Sequence, residues 1–162
     1  MEIQIRKPQE KDVPQLWQLM KELAVFEKYI DSFAITPEVV LEKGFRKSPP
    51  DFYSLVAEDT GSDVLAGMLV YYLLPYTAQN KPAIFLKELY VLPAYRGHKI
   101  GEALMIELAK EAVLHQCCSV KWNVAPWNKE GIRFYQRLGA EENRDWLNFE
   151  WDAEQFKKAA NR

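Results

Sequence analysis

Tyr90-Val91-Leu92-Pro93-Ala94-Tyr95-Arg96-Gly97-His98-Lys99-Ile100-Gly101 runs from an apolar, β-rich segment into a glycine-bearing loop. A helical stretch follows at once, Glu102 to His115, with Ala103, Leu104, Ile106, Leu108, Ala112 and Val113 at its apolar positions. Strand, loop and helix in this order gather free backbone N–H groups and a positive helix end around one point. Such a point suits a phosphate. Gly97 and Gly101 permit close backbone approach, and Arg96 and Lys99 add positive charge. The loop is neither a G-x-G-x-x-G dinucleotide fingerprint nor a P-loop, since no G-K-[ST] follows. Read alone, it fits a phosphate cradle or a plain strand–helix turn.

Working outward, Glu2 to Arg6 alternates as a first strand, and Asp12 caps a helix through Phe26 with Leu16, Leu19, Met20 and Leu23 on one face. Thr36-Pro37 opens a shorter helix ending near Gly44. Phe52 to Glu58 and Val64 to Leu74 form a hairpin around Asp59-Thr60-Gly61-Ser62-Asp63, with Gly67 marking a bulge or close packing. Ala83 to Leu92 is a fourth strand and Ser119 to Val124 a fifth. Asn128 to Leu138 is a helix closed by Gly139, and Asn143 to Trp151 reads as a strand. The order βααβββαβαβ predicts a single α/β domain over residues 1–162, a mixed sheet with helices on both faces.

Composition narrows the function class. The chain has 162 residues, 48% hydrophobic and 27% charged, with net charge −2, so no basic field argues for nucleic acid. No apolar run approaches the roughly 20 residues of a membrane span. The N-terminus, MEIQIRKPQEKD, lacks an apolar signal core, which predicts a cytoplasmic protein. Cys117 and Cys118 are adjacent, read as small apolar residues entering a strand, and two thiols do not make a four-ligand zinc site. No metal is expected.

A second element is Asn128-Lys129-Glu130-Gly131-Ile132-Arg133-Phe134-Tyr135-Gln136-Arg137-Leu138-Gly139-Ala140. Asn128 can cap this helix, and Ile132, Tyr135 and Leu138 share a face. By spacing alone Tyr135 reads first as a core aromatic whose hydroxyl finds one partner.

Together, "LYVLPAYRGHKIG" and "WNKEGIRFYQRLGA" resemble the GNAT superfamily of acetyl-CoA-dependent N-acetyltransferases. The family's R/Q-x-x-G-x-G/A loop falls on Arg96 to Gly101, and its N-x-x-x-x-x-F-Y helix on Asn128 to Tyr135. Within it, "KELAVFEKY", "FYSLVAE" and "VAPWNKEGIRFY" are similar to the diamine (spermidine/spermine) and thialysine acetyltransferases. The resemblance implies a mostly antiparallel sheet of six or seven strands flanked by about four helices. It implies acetyl-CoA as co-substrate, with backbone groups of Leu89, Tyr90 and Val91 pairing with the pantetheine arm. Arg96, Gly97, His98, Lys99, Ile100, Gly101 and Glu102 would hold the pyrophosphate, with Asn128 and Gly131 contacting the cofactor. Tyr135 would stand near its sulfur as general acid. The acceptor, a small-molecule primary amine, would lie toward Phe26 and Glu27, walled by Trp122, Asn123 and Trp146. A homodimer is implied by the resemblance and by the aromatic-rich terminal strand.

Two positions depart from the family pattern. Lys99 stands where the loop normally has Gly, and Lys87-Glu88 stands where diamine acetyltransferases carry an acidic pair. An alkyl ammonium with a pKa near 10.4 is only about 0.04% neutral at pH 7, a deficit of roughly 4.6 kcal/mol. Glu88 is the candidate base, directly or through water; a salt bridge on a covered sheet face is the competing reading. Alternation puts Glu88 on the face with Leu86 and Tyr90, and Lys87 on the other. A backbone N–H near Tyr90 is the expected oxyanion donor. Glu27 and Asp31 could attract a second ammonium, or Arg133 and Arg144 an acceptor carboxylate. A protein or peptide acetyltransferase and a non-catalytic acyl-CoA-binding module remain as alternatives.

Overall fold

A computed structural model of the chain describes residues 1–161. Its regular elements are β1 (Ile3–Arg6), α1 (Val13–Phe26), α2 (Pro37–Leu41), β2 (Tyr53–Asp59), β3 (Val64–Tyr76), β4 (Lys81–Val91), α3 (Ile100–Leu114), β5 (Val120–Lys121), α4 (Lys129–Arg137) and α5 (Ala153–Ala160). They fall into two compact units, Met1–Ala125 and the residues from Pro126 onward.

The first unit holds a sheet in the order β1-β2-β3-β4-β5. Neighbours are antiparallel as far as β4, and β4–β5 is parallel. Among the described residues the sheet therefore has five strands rather than six or seven, with five α-helices where about four were expected. Leu16, Leu23, Val56, Met68, Val70 and Tyr90 form a core between α1 and one face. Leu55, Leu69, Tyr71, Leu86, Leu104 and Leu108 form a second core under α3. The apolar face predicted for α1 is the buried one. Asp12 does not cap it. Its carboxylate instead accepts from the Arg6 guanidinium at 2.6 and 3.0 Å and from the Gln9 N–H at 2.7 Å. Arg6 also donates to Glu58 at 2.6 Å, so one cation ties β1, β2 and the start of α1 together.

A bulge in β4 overturns the simple alternation. Tyr71 faces Leu86 across the ladder but Val70 faces Glu88, leaving Lys87 as the extra residue. The parity of β4 inverts there. Leu86 lies in the α3-side core and Tyr90 in the α1-side core, so Glu88 shares a face with Tyr90 and not with Leu86.

A second irregularity lies between Ala57 and Glu58 of β2, where β3 carries an extra residue next to Gly67. A Cβ on Gly67 would lie 2.9 Å from the Tyr90 carbonyl oxygen and 3.3 Å from Val91. Neither is a flexible chain end. Gly67→Ala should therefore destabilise the protein by about 1–3 kcal/mol in denaturant unfolding, because β4 must shift.

In the second unit the Asn143–Trp151 stretch is not a strand. Its alternating residues have no strand to pair with among the described residues of this unit, and a lone strand does not hold itself. α5 was not foreseen. Its start carries a capping box, with Gln155 N–H donating to Asp152 at 2.8 Å and Asp152 N–H to Gln155 at 2.9 Å.

Candidate active site

The parallel pairing of β5 with β4 stops after Ile84 and Phe85. From Leu86 to Val91, β4 pairs with β3 on one side, and no described strand lies on the other. The Ile84 N–H donates to Ser119 on the β5 side at 3.0 Å, and the Leu92 N–H to Ala66 of β3 at 2.9 Å. Backbone groups alternate along a strand, so beyond the bulge those of Leu89 and Val91 point to the open side. Those of Tyr90 point to β3. Near Tyr90, where the oxyanion donor is expected, the N–H groups on the open edge are therefore those of Leu89 and Val91. The bulge causes this, because it reverses the parity of the peptide groups as well as that of the side chains.

The open edge leads into the glycine loop. Pro93–Tyr95 makes a 3-10 turn, Gly97 takes φ +83°, and Lys99 takes φ +59° directly before α3. Both departures from right-handed backbone aim the chain so that the N–H groups of Ile100, Gly101 and Glu102 open α3. No side chain caps that helix end. This leaves a positive helix terminus for an anion. The Ile100 side chain is core, so its part in any such site is its backbone. His98 Nδ1 is 3.2 Å from the Tyr95 carbonyl, and the Tyr95 hydroxyl donates to Asp59 at 3.3 Å, which braces the turn. The Arg96 Nε–H donates to the Val91 carbonyl at 3.0 Å.

On the α1 face of the sheet the bulge presents Glu88. Its Oε2 is buried without a hydrogen-bond partner among the described residues. Burial pushes this carboxyl up to about 7; the Lys87 ammonium pulls it down, and Glu27 pushes it further up. Glu27, just past the end of α1, is also raised by partial desolvation and lowered by Lys87. Burial raises Tyr29, and Glu88 and Glu27 raise it further. Tyr72 is raised by burial and then by Glu88. Two carboxyls, an ammonium and two phenols therefore share one electrostatic neighbourhood. Tyr29 and Tyr72 were not singled out from the sequence. Tyr72 stands opposite Phe85 beside the bulge, with rings stacked 6.4 Å apart, and nothing in the local sequence announces that bulge.

Phe26, the last residue of α1, lies 5.5 Å under the Arg96 guanidinium. Trp122 packs on the α3-side core, across the sheet from Glu88, and Asn123 is exposed just beyond β5. In the second unit Asn128 caps α4, its Oδ1 accepting from the Gly131 N–H at 3.0 Å. A Cβ on Gly131 would fall 2.6 Å from the Asn128 amide nitrogen, which explains the glycine. Tyr135 is half-buried with its ring edge-on to Phe134 at 5.1 Å. Trp146 is 81% exposed. Among the described residues no group of three or more His, Cys, Asp or Glu could hold a metal, and no helix is long and apolar enough to cross a membrane.

Residues 15–140 match the model of the acetyltransferase (GNAT) family. The chain is 30% identical to a thialysine N-epsilon-acetyltransferase of Mus musculus, covering 98% of this chain and 97% of that protein. It is also 30% identical to a spermidine/spermine N(1)-acetyltransferase-like protein 1 of Homo sapiens, covering 94% of this chain and 23% of the longer relative. Among solved structures, an integron cassette protein from the mobile metagenome of V. cholerae superposes with TM-score 0.80 at 20% identity, over 100% of this chain and 99% of the other. A Trypanosoma brucei acetyltransferase gives TM-score 0.74 at 16% identity, over 93% and 100%.

Proposed function

The chain belongs to the GNAT family of acetyltransferases, and from that premise we propose that it moves the acetyl group of acetyl-CoA directly to a primary amine of a small molecule. The acceptor class is a diamine, a polyamine or a lysine-like amino acid such as thialysine. The observation that carries this reading is the open edge of β4, which passes a carboxylate with one buried oxygen lacking a hydrogen bond among the described residues and ends in an uncapped helix start. A strand-like amide arm with a diphosphate at one end fits that edge. The substrate supplies the thioester; the chain supplies alignment, a base and an acid.

Leu89 and Val91 hold the pantetheine arm through their outward backbone groups, and Arg96 to Glu102 hold the pyrophosphate. The two units act as one acetyltransferase domain. Glu88 takes the proton from the acceptor ammonium, directly or through one water. A carboxyl raised to about 7 is half ionised at neutral pH and much closer in basicity to an amine than an ordinary glutamate. An outward N–H of the β4 edge donates to the thioester oxygen. Tyr135 returns a proton to the departing thiolate, a tyrosine hydroxyl of pKa near 10 serving a thiol of pKa near 8.5. Asn128 and Gly131 complete the cofactor contacts. Phe26, Glu27, Asn123 and Trp146 line the acceptor side; Trp122, packed in the core on the opposite face of the sheet, is not one of its walls.

Lys99 gives this reading a separable test. A non-glycine residue at φ +59° costs on the order of 1 kcal/mol. Its ammonium offsets that strain by meeting the pyrophosphate. Lys99→Gly should therefore stabilise the free protein by about 1 kcal/mol in unfolding experiments and weaken acetyl-CoA binding about threefold to tenfold. Stabilisation with unchanged affinity would remove Lys99 from the phosphate site.

A homodimer is part of the proposal. Trp146, Leu147, Phe149 and Trp151, all within one short stretch, are 81%, 82%, 92% and 68% exposed, and a run of large apolar side chains left this open fits an interaction surface. A cytoplasmic location is the matching expectation for an enzyme of small amines.

A further inference from the structure

Arg96 reaches both halves of the site. Its guanidinium lies 5.5 Å from the centroid of the Phe26 ring and 5.5 Å from that of Tyr90, while its Nε–H donates to the Val91 carbonyl at 3.0 Å. Phe26 ends α1, and the next residues, Glu27 and Tyr29, are the ones electrostatically coupled to Glu88. Val91 belongs to the open edge of β4. The Tyr90 hydroxyl donates to Glu22 at 3.3 Å, one turn back along α1. The last turn of α1 is thus pinned to β4 by two contacts, and one of them is a cation beside the phosphate loop.

We propose that Arg96 is a positioning residue that couples cofactor binding to the acceptor side: with the loop empty it latches the end of α1 over β4, and coenzyme A releases the latch. The inference rests on the coenzyme A reading above. In the latched arrangement Arg96 covers the outward carbonyl of Val91, where the cofactor arm would dock. It does so through a hydrogen bond to the neutral Val91 carbonyl, a polar contact with the Tyr90 hydroxyl and two ring contacts at a partly exposed site, each of them weak. A diphosphate at Gly97 to Glu102 offers the same guanidinium a charge-assisted, bidentate partner. The guanidinium therefore moves toward the phosphates, uncovers Val91 and lets go of Phe26. The turn bearing Phe26, Glu27 and Tyr29 then loosens, and an amine can enter beside Glu88. Coupling of this kind is reciprocal, so whatever weakens the latch tightens coenzyme A binding.

Hydrogen exchange on the full chain, with and without saturating coenzyme A, tests the latch. The amides to follow are Glu27, Lys28 and Tyr29, which donate to Leu23, Val25 and Ala24. In the wild-type protein they should exchange about threefold to tenfold faster when coenzyme A is bound. In Arg96→Met they should already exchange fast, with no response to the ligand. Phe26→Leu keeps the loop and removes one ring from the latch, so calorimetry should show coenzyme A binding about threefold to tenfold more tightly. A merely structural Phe26 would leave that affinity unchanged or lower it. Coenzyme A binding that leaves the exchange at these amides unchanged, or slows it, would overturn the latch while sparing the cofactor reading. Failure of the wild-type protein to bind coenzyme A would overturn both.

Discussion

Glu88→Gln is expected to lower kcat/KM by about 10²–10⁴-fold, the range typical of losing a positioned general base. The pH profile should separate this from a packing defect. In the wild-type enzyme kcat/KM rises as Glu88 ionises, through an apparent pKa of about 7. In the Gln variant that rise should vanish, leaving only the climb toward the acceptor amine's own pKa. Stability should move the other way. The folded carboxyl is raised from 4.5 to about 7, so between those values the folded state binds more protons than the unfolded state. Stability therefore falls as pH rises through this window and is lowest above pH 7, by roughly 3 kcal/mol. Glu88→Gln carries no ionisable group, so at pH 8 it should be more stable than the wild type by an amount of that order. At pH 4 the two should converge. A variant that is slower yet more stable at high pH is what a buried base predicts. A salt-bridged carboxylate would give the opposite sign.

Tyr135→Phe is the second large effect. Removing the hydroxyl leaves the ring, its contact with Phe134 and the Asn128 cap untouched. Turnover at saturating acetyl-CoA should fall about 10²-fold, with the KM for acetyl-CoA changing little. The loss should shrink with thioesters whose thiols are more acidic, because such leaving groups need less help from an acid. Unchanged turnover would remove the general-acid role and return Tyr135 to the packing role that its helical spacing also allows.

Most of the frame was legible because it rests on short-range patterns. The periodicity of Leu16, Leu19, Met20 and Leu23 identifies the buried face of α1, and the run from Tyr90 to Gly101 identifies the strand, the loop and the helix after it. What was not legible depends on pairing. The bulge at Lys87 is a mismatch between β4 and β3, visible only once Val70 and Tyr71 are set against Glu88 and Leu86. It turned Glu88 to the face of Tyr90, away from Leu86, and directed the backbone of Leu89 and Val91 outward instead of that of Tyr90. Tyr29 and Tyr72 reach Glu88 from other elements, so no local motif contains them. Asn143 to Trp151 shows the reverse case. Its alternation is a genuine strand pattern, but alternation needs an edge to pair with, and the second unit has none among the described residues. The capping box at Asp152 could have announced α5, and it was overshadowed by that pattern.

The central claim is acetyl transfer to a small amine, and thiol release from acetyl-CoA measures it directly. The purified protein is assayed with putrescine, spermidine, lysine, thialysine and a lysine-containing peptide as separate acceptors. The account predicts amine-dependent thiol release with at least one of the small amines, exceeding that with the peptide, and its loss in Glu88→Gln. Tight binding of coenzyme A with no release for any amine would contradict it and leave an acyl-CoA-binding module in place of the enzyme.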